Sequence, residues 1–359
     1  MEDRNDVLGM LDLMLRPGFC VKQGQILRVN QAAQSLCIRP GTDVASLLRT
    51  GQEAYRDFHQ GALYLTLTLA GQEMGASVSR VGDVDVFVVE QCGDDQELKA
   101  MALVAQELRS PLSGVMATAQ RLFPLSSLQE DSVTREQVAR LNRGLYQMLR
   151  VLGNMSDAAR EPGENQQETR ELGSFFDEMF DKARGVLAHT GLTLEYQGLK
   201  GPVYGLVCAE QLERAVLNML SNALKFTPKG GTIRVSLVRK GHFLHLHIQD
   251  TGCGLDTDTR RTVFSRYLRQ PAIEDSRFGL GLGMVLVRSA AASHGGVVLI
   301  DQPESSGTRV TFTIDLSRKP DPNLHSRVLT VDYAGNLDHW LIELADILPP
   351  EAYTPEESL

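Results

Sequence analysis

Asn218-Met-Leu-Ser-Asn222-Ala-Leu-Lys225-Phe226 is the stretch on which the reading of this chain turns. It ends an apolar run that begins at Ala209 and keeps a helical period, so a helix is expected from Ala209 to Lys225. Two strand-like runs follow, Thr232 to Val238 and Phe243 to Gln249, and the second leads directly into Asp250-Thr-Gly252-Cys-Gly254-Leu. Further on, Phe278-Gly279-Leu-Gly281-Leu-Gly283 opens a helix near Leu280 to His294. Strands from Val297 to Asp301 and from Thr308 to Asp315 close the segment, the last introduced by Gly307-Thr308. Upstream, Ser174 is expected to cap a helix through Leu187, with a strand from Leu192 to Tyr196. The glycines fall at strand ends and helix starts, where a backbone without Cβ turns sharply or approaches another group closely. Residues 170–316 thus read as a second α+β domain.

These four segments, in this order and in these contexts, resemble the N, G1, G2 and final Gly-Thr boxes of the Bergerat-type ATP-binding domain of sensor histidine kinases. The resemblance implies an α/β two-layer sandwich over 170–316, with ATP and Mg²⁺ as cofactors. Asn222 would ligate the metal through its amide oxygen, a hard donor suited to that ion, and Lys225, one helical turn on, would meet phosphate charge. Phe226 resembles the aromatic position beside the adenine, and Asp250 the carboxylate that accepts from its exocyclic amine, oriented by Thr308. Gly252 and Gly254 would let the backbone approach the base, while Gly279 and Gly281 would permit the turn that leads phosphate towards a helix N-terminus. Asn218 occupies the position where ATP-hydrolysing relatives of the same fold, DNA gyrase and the Hsp90 chaperones, carry a Glu general base. Phosphoryl donation rather than hydrolysis is therefore expected. Arg277 replaces the first glycine of the usual G2 pattern, which either restricts the backbone there or adds a cation near the phosphates.

Ahead of this domain the period is helical on both sides of a short polar break. Leu98, Met101, Ala105, Leu108, Leu112, Val115, Ala119 and Leu122 make one seam, Phe123-Pro124 ends it, and Val138, Leu141, Leu145, Met148, Leu152 and Met155 make a second. An antiparallel hairpin is expected, dimerising into a four-helix bundle. Within it, Gln106-Glu107-Leu-Arg-Ser110-Pro111 resembles the H-box of histidine kinases, where the phosphoacceptor His precedes a Glu; here that position holds Gln106. A carboxamide nitrogen is not nucleophilic, so autophosphorylation there is expected to be absent. No His occurs between His59 and His189, and His294 and His189 are expected to be surface or packing residues. Ser110 stands where the family positions water for dephosphorylating a response regulator. Gln106 and Ser110 together either retain such a phosphatase activity or are solvated helix residues. Pro111 removes a backbone donor and is expected to bend the helix.

At the N-terminal end, Gly18-Phe-Cys-Val-Lys-Gln-Gly-Gln-Ile-Leu-Arg-Val-Asn30 resembles the opening of a PAS domain, and further strands are expected at Leu63 to Leu69 and Val84 to Glu90. Five parts result: a PAS-like α+β sensor module (5–93), the hairpin (95–160), a linker (161–169), the ATP-binding domain (170–316) and an extension (317–359). The extension offers a strand at Val328 to Val331 and an amphipathic helix at Leu337 to Leu348. The whole resembles a two-component signalling protein that uses ATP-Mg for phosphoryl transfer or nucleotide-gated regulation. A scaffold that sequesters a kinase or regulator, and a kinase acting on a His of another chain, stand beside that reading. Implied partners are a second copy of the chain and a response regulator or another kinase.

Composition narrows the classes. The 359 residues suggest two to three domains at about 150 residues each. Lys and Arg number 36 against 45 Asp and Glu, a net charge of −9, and no local basic patch offsets it, so nucleic acid is not an expected partner. No run approaches the ~20 apolar residues of a membrane span, and the acidic opening Met1-Glu-Asp-Arg-Asn-Asp6 is unlike a signal peptide, so a cytoplasmic location is expected. Cys20, Cys37, Cys92, Cys208 and Cys253 form no CxxC pair and are expected to be reduced, buried thiols.

Overall fold

The computed structural model describes residues 11, 14–90, 94–123, 132–158, 167–187, 190–256, 259, 262–264, 281–303, 306–318 and 337–353. The first module contains β1 (Gly18–Lys22), β2 (Gln25–Val29), α1 (Gln31–Ser35), α2 (Gln52–Arg56), β3 (Ala62–Leu69), β4 (Gln72–Val81) and β5 (Val84–Val89). Its strands are all antiparallel, in the order β2-β1-β5-β4-β3. Asn30 organises the opening. Its Oδ1 accepts from the N–H of Ala33 at 2.8 Å, capping α1, and from that of Gly18 at 3.0 Å, while its Nδ2 donates to the Arg16 carbonyl at 2.7 Å. β4 was not expected, because its Ser, Gly and Glu content masks the two-residue alternation that puts Ala76 and Val78 in the core.

The helices α3 (Asp94–Leu122) and α4 (Ser132–Ala158) pack side by side, and α3 continues through Pro111. Their shared core holds Ala105, Leu112, Met116 and Ala119 against Leu145, Leu149 and Leu152. This corrects the expected single seam: Leu108, Val115 and Leu122 are 49 %, 53 % and 67 % exposed, and Leu141 and Met148 also face outward. The apolar positions on α3 therefore divide into an inner stripe and an outer one.

The third part contains β6 (Glu168–Glu171), α5 (Leu172–Leu187), β7 (Thr193–Gln197), β8 (Tyr204–Val207), α6 (Ala209–Phe226), β9 (Thr232–Lys240), β10 (Phe243–Asp250), α7 (Gly283–Ser293), β11 (Val298–Asp301) and β12 (Arg309–Asp315). The helices α5, α6 and α7 share one apolar core with β9, β10, β11 and β12, two layers deep. Residues 168–169, read as linker, belong to β6, which pairs antiparallel with the unforeseen β8. The cap of α5 is likewise Glu171 rather than Ser174: its carboxylate accepts from the N–H groups of Gly173, Ser174 and Val203, and these bonds hold its pKa down at about 2.

After the described residues resume at 337, α8 (His339–Glu343) is shorter than the expected helix, and a 3-10 turn at Pro350–Tyr353 follows. Trp340, Leu344 and Leu348 are buried in the core of the third part. The expected strand at Val328 to Val331, the loop after Pro124, Cys92 and His189 lie outside the described residues. Cys37 and Cys253 are exposed, against expectation, while Cys20 and Cys208 are buried, and all four are free thiols. Among the described residues no helix is long and apolar enough to cross a membrane.

One connection was not legible in the sequence at all. β3 of the first module pairs antiparallel with β11, Tyr64 opposite Val298 and Ala62 opposite Ile300, so that a single ten-stranded sheet runs through both modules. Arg288 on α7 forms a buried ion pair with Glu90 and lies over the Tyr64 ring at 5.1 Å, and the Tyr64 hydroxyl donates to the same carboxylate at 2.7 Å. Gly61 makes the approach feasible. Its φ is +99°, and a Cβ there would stand 2.0 Å from the Ile300 carbonyl oxygen. A Gly61→Val substitution is expected to cost about 1–3 kcal/mol and to part the two halves of the sheet. Hydrogen exchange should then quicken in β3 and β11 while β9 and β10 stay protected.

Candidate functional site

β10 ends at Asp250, which is buried, with its Oδ1 accepting from the N–H of Gly252 at 2.8 Å and of Thr308 at 3.1 Å. The Asp250 N–H in turn donates to the Thr308 carbonyl at 2.9 Å, so these two residues, far apart in sequence, hold each other reciprocally. Glycine is required on both sides. Gly307 has φ +87°, and a Cβ on it would lie 2.0 Å from the Asp250 carbonyl oxygen; a Cβ on Gly252 would lie 2.3 Å from the carbonyl oxygen of Phe226. Burial pushes the Asp250 carboxyl up from its ordinary pKa, and the backbone N–H bonds pull against it.

Those close approaches bring the end of α6 beside the end of β10. An open cleft of about 930 Å³ lies there, lined by Lys225, Phe226, Thr251 and Gly252 together with Asp346 and Ile347 from the C-terminal segment. That size suits a nucleotide-sized ligand. Phe226 is 38 % exposed at the cleft, and Asn222, one helical turn before Phe226, is half-buried. Lys225 is buried, and its ammonium is 3.1 Å from the Asp346 carboxylate. Its pKa is nevertheless lowered, because burial and the neighbouring Arg150 outweigh the pull of Asp346.

The other expected residues are placed differently. Asn222, Asp250 and Thr308 are not among the residues that line the cleft, and neither is Asn218: it is buried, its Nδ2 donates to the Arg214 carbonyl at 2.9 Å, and a Cβ on Gly283 would meet its Oδ1 at 2.9 Å. It seats the first turn of α7 on α6. Gly254 and Gly281 both have positive φ, +77° and +72°. Gly279 and Arg277 lie outside the described residues. Gln106, Glu107 and Ser110 are exposed on α3. Among the described residues no group of three or more His, Cys, Asp or Glu side chains is arranged to hold a metal. The half-buried Asn222 carboxamide suits Mg²⁺ in the manner of sites that supply few protein oxygens and rely on nucleotide phosphates and water for the rest.

His294 is buried and fully engaged. Its Nε2 accepts from the Cys208 N–H at 3.1 Å, and its Nδ1 faces the Ala290 carbonyl at 2.6 Å, which requires the neutral ring with the proton on Nδ1. It is a packing residue, as expected. Four ionic residues escaped the sequence reading: Arg150, Arg214, Glu343 and Asp346. Glu343 is buried between Arg214, 3.1 Å away, and Arg150, 3.5 Å away, while Arg150 also pairs with Asp346, and Arg214 with Asp157. The available signal was charge on an apolar face: Arg150 lies between Leu149 and Leu152, and Glu343 between Ile342 and Leu344.

Burial lowers the pKa of His294 to about 4, so the unfolded chain binds a proton that the folded one refuses between pH 6.5 and about 4. Its contribution is complete above pH 6.5 and is lost as the pH falls through that window. Unfolding in urea at pH 7 and pH 5 should show a fall of about 2 kcal/mol from this residue. His294→Gln should start less stable at pH 7 but lose less on acidification.

Comparison with known proteins agrees with this geometry. Residues 208–318 match the family model described as histidine kinase-, DNA gyrase B-, and HSP90-like ATPase. The chain is 25 % identical over 232 residues to the sensor-like histidine kinase SenX3 of Mycolicibacterium smegmatis, covering 63 % of this chain and 59 % of that one. It is 26 % identical over 238 residues to the histidine-protein kinase/phosphatase MprB of the same organism, covering 64 % and 47 %. The chain thus spans about half the length of the curated relatives it matches. Among solved structures, full-length ShkA in complex with AMPPNP aligns with a TM-score of 0.49 and 21 % identity, over 60 % of this chain and 45 % of that one. With the four boxes in order and this family match over the segment that carries them, residues 208–318 form an ATPase domain of the histidine kinase, DNA gyrase B and HSP90 type, and the chain is similar to sensor histidine kinases.

Proposed function

We propose that the chain is a two-component signalling protein that binds ATP with Mg²⁺ in the cleft between α6 and β10 and does not autophosphorylate on its hairpin. The observation that carries the nucleotide reading is the Asp250 carboxylate. Both backbone bonds that hold its turn go to Oδ1, which leaves Oδ2 as acceptor for the exocyclic amine of adenine. Lys225 at the cleft supplies charge for phosphate, and Asn222 supplies a carboxamide oxygen for the metal. Bound Mg²⁺ would neutralise phosphate charge; the residues of this chain orient the base and exclude water from its edge.

The acceptor side supports a regulatory role. Gln106 occupies the acceptor position, and its amide cannot carry a stable phosphoryl group. Gln106 and Ser110 are exposed one helical turn apart on α3, which favours a second reading: an amide and a hydroxyl orienting water to dephosphorylate a response regulator. The outward apolar stripe of Val104, Leu108, Val115 and Leu122 supports homodimerisation through a four-helix bundle, since a stripe of this length is rarely left in water. The antiparallel order of the first module supports the PAS-like sensor reading.

Calorimetry with ATP-Mg should show binding that Asp250→Asn weakens at least tenfold, the scale of one charge-assisted bond. With radiolabelled ATP the native chain should take no acid-labile label between residues 95 and 160, whereas Gln106→His should gain it. Phosphate release from a phosphorylated receiver domain that Ser110→Ala leaves unchanged would exclude the phosphatase reading.

A further inference from the structure

One carboxylate oxygen, Oδ2 of Asp346, is bound by two cations from different parts of the chain. The guanidinium of Arg150 on α4 donates to it through Nη1, and the Lys225 ammonium on α6 reaches it at 3.1 Å. All three groups are largely buried. Lys225 and Asp346 also line the cleft that holds Phe226 and Gly252. Two cations converging on one oxygen is the arrangement that recognises a phosphate.

We propose that Arg150 and Lys225 together form the phosphate end of the nucleotide site, and that the Asp346 carboxylate is its built-in occupant, an internal competitor that ATP must displace. The inference rests on the ATP reading above and deepens it, since it assigns a hairpin residue to the site and a role to the C-terminal segment.

The balance of charge and hydrogen bonding supports displacement. Arg150 has a second acidic neighbour, Glu343, but its Nε faces Glu343 Oε2 at 3.5 Å without a hydrogen bond, and neither atom has another hydrogen-bond partner. The segment is otherwise attached to the hairpin through its own carbonyl oxygens: Arg143 donates to those of Ala345 at 3.0 Å and Asp346 at 3.1 Å, and Asn142 to that of Tyr353 at 3.0 Å. These bonds hold Asp346 in place while leaving its side chain as the only acidic group from the segment on Lys225 among the described residues. A triphosphate carries more negative charge than one carboxylate and would win both cations. Release of Asp346 would then remove the side-chain tie that the segment makes to both α4 and α6 and loosen the segment without detaching it, since the Arg143, Asn142 and Glu343 contacts remain, so nucleotide occupancy would be reported to the hairpin through Arg150.

The test uses the full chain. Calorimetry with ATP-Mg is expected to show about tenfold tighter binding by Asp346→Asn than by the native protein, the scale of one charge-assisted bond removed from competition. Hydrogen exchange of the native protein is expected to quicken in residues 337–353 at saturating ATP-Mg, a readout that does not depend on the variant folding. Equal or weaker binding by Asp346→Asn, or unchanged protection of 337–353 with ATP bound, overturns the proposal while leaving the ATP reading intact. No binding by either protein overturns both.

Discussion

Glu343 has no access to solvent and lies between the guanidinium groups of Arg214 and Arg150, one from the ATPase helix α6 and one from the hairpin helix α4. A carboxylate in that position is tolerable only if both partners stay, because removing either leaves a buried charge whose desolvation is not offset. The consequence is architectural. Three segments distant in sequence, the hairpin, the ATPase helix and the C-terminal stretch, are committed to one arrangement by one side chain, and the apolar contacts of Trp340 and Leu344 with the core add to it. Asp346, three residues on, extends the network to Lys225 and so to the cleft at the end of α6.

The second constraint is the pairing of β3 with β11. Each strand would otherwise be the open edge of its own sheet, and an unpaired edge invites association with other chains. Here the two edges close each other. The Arg288 and Glu90 pair, with Tyr64 stacked against the guanidinium, seals the junction on the helix side. A change in the N-terminal module therefore has two physical routes to the ATPase domain: along α3, and directly across the sheet.

The ATPase domain and the hairpin differ in how closely they follow the motifs they resemble. At the end of β10, the reciprocal bonds of Asp250 and Thr308 and the glycines that permit them are all in place. In the hairpin, the position that resembles the family's acceptor carries the carboxamide of Gln106.

Local pattern carried much of this in the sequence. The N-cap at Asn30, the helix over Ala209–Phe226, the strands that flank it and the glycine positions are set by residues within a few places of each other, so period and turn chemistry reveal them. The polar content of β4 hides its alternation, and Ser174 looks like the cap in sequence because Glu171 works through a side chain whose reach to Val203 depends on the fold. Gln106, Lys225 and Asp250 stand out in the sequence because the boxes they resemble are contiguous in the chain. The junction of β3 with β11, the division of α3 into inner and outer stripes, and the ion network of Arg150, Arg214, Glu343 and Asp346 do not. Each joins segments separated by much of the chain, and a charge on an apolar face says only that it has a partner. Which partner it meets is decided when the layers pack, because only then does desolvation make an unpaired charge too costly to keep.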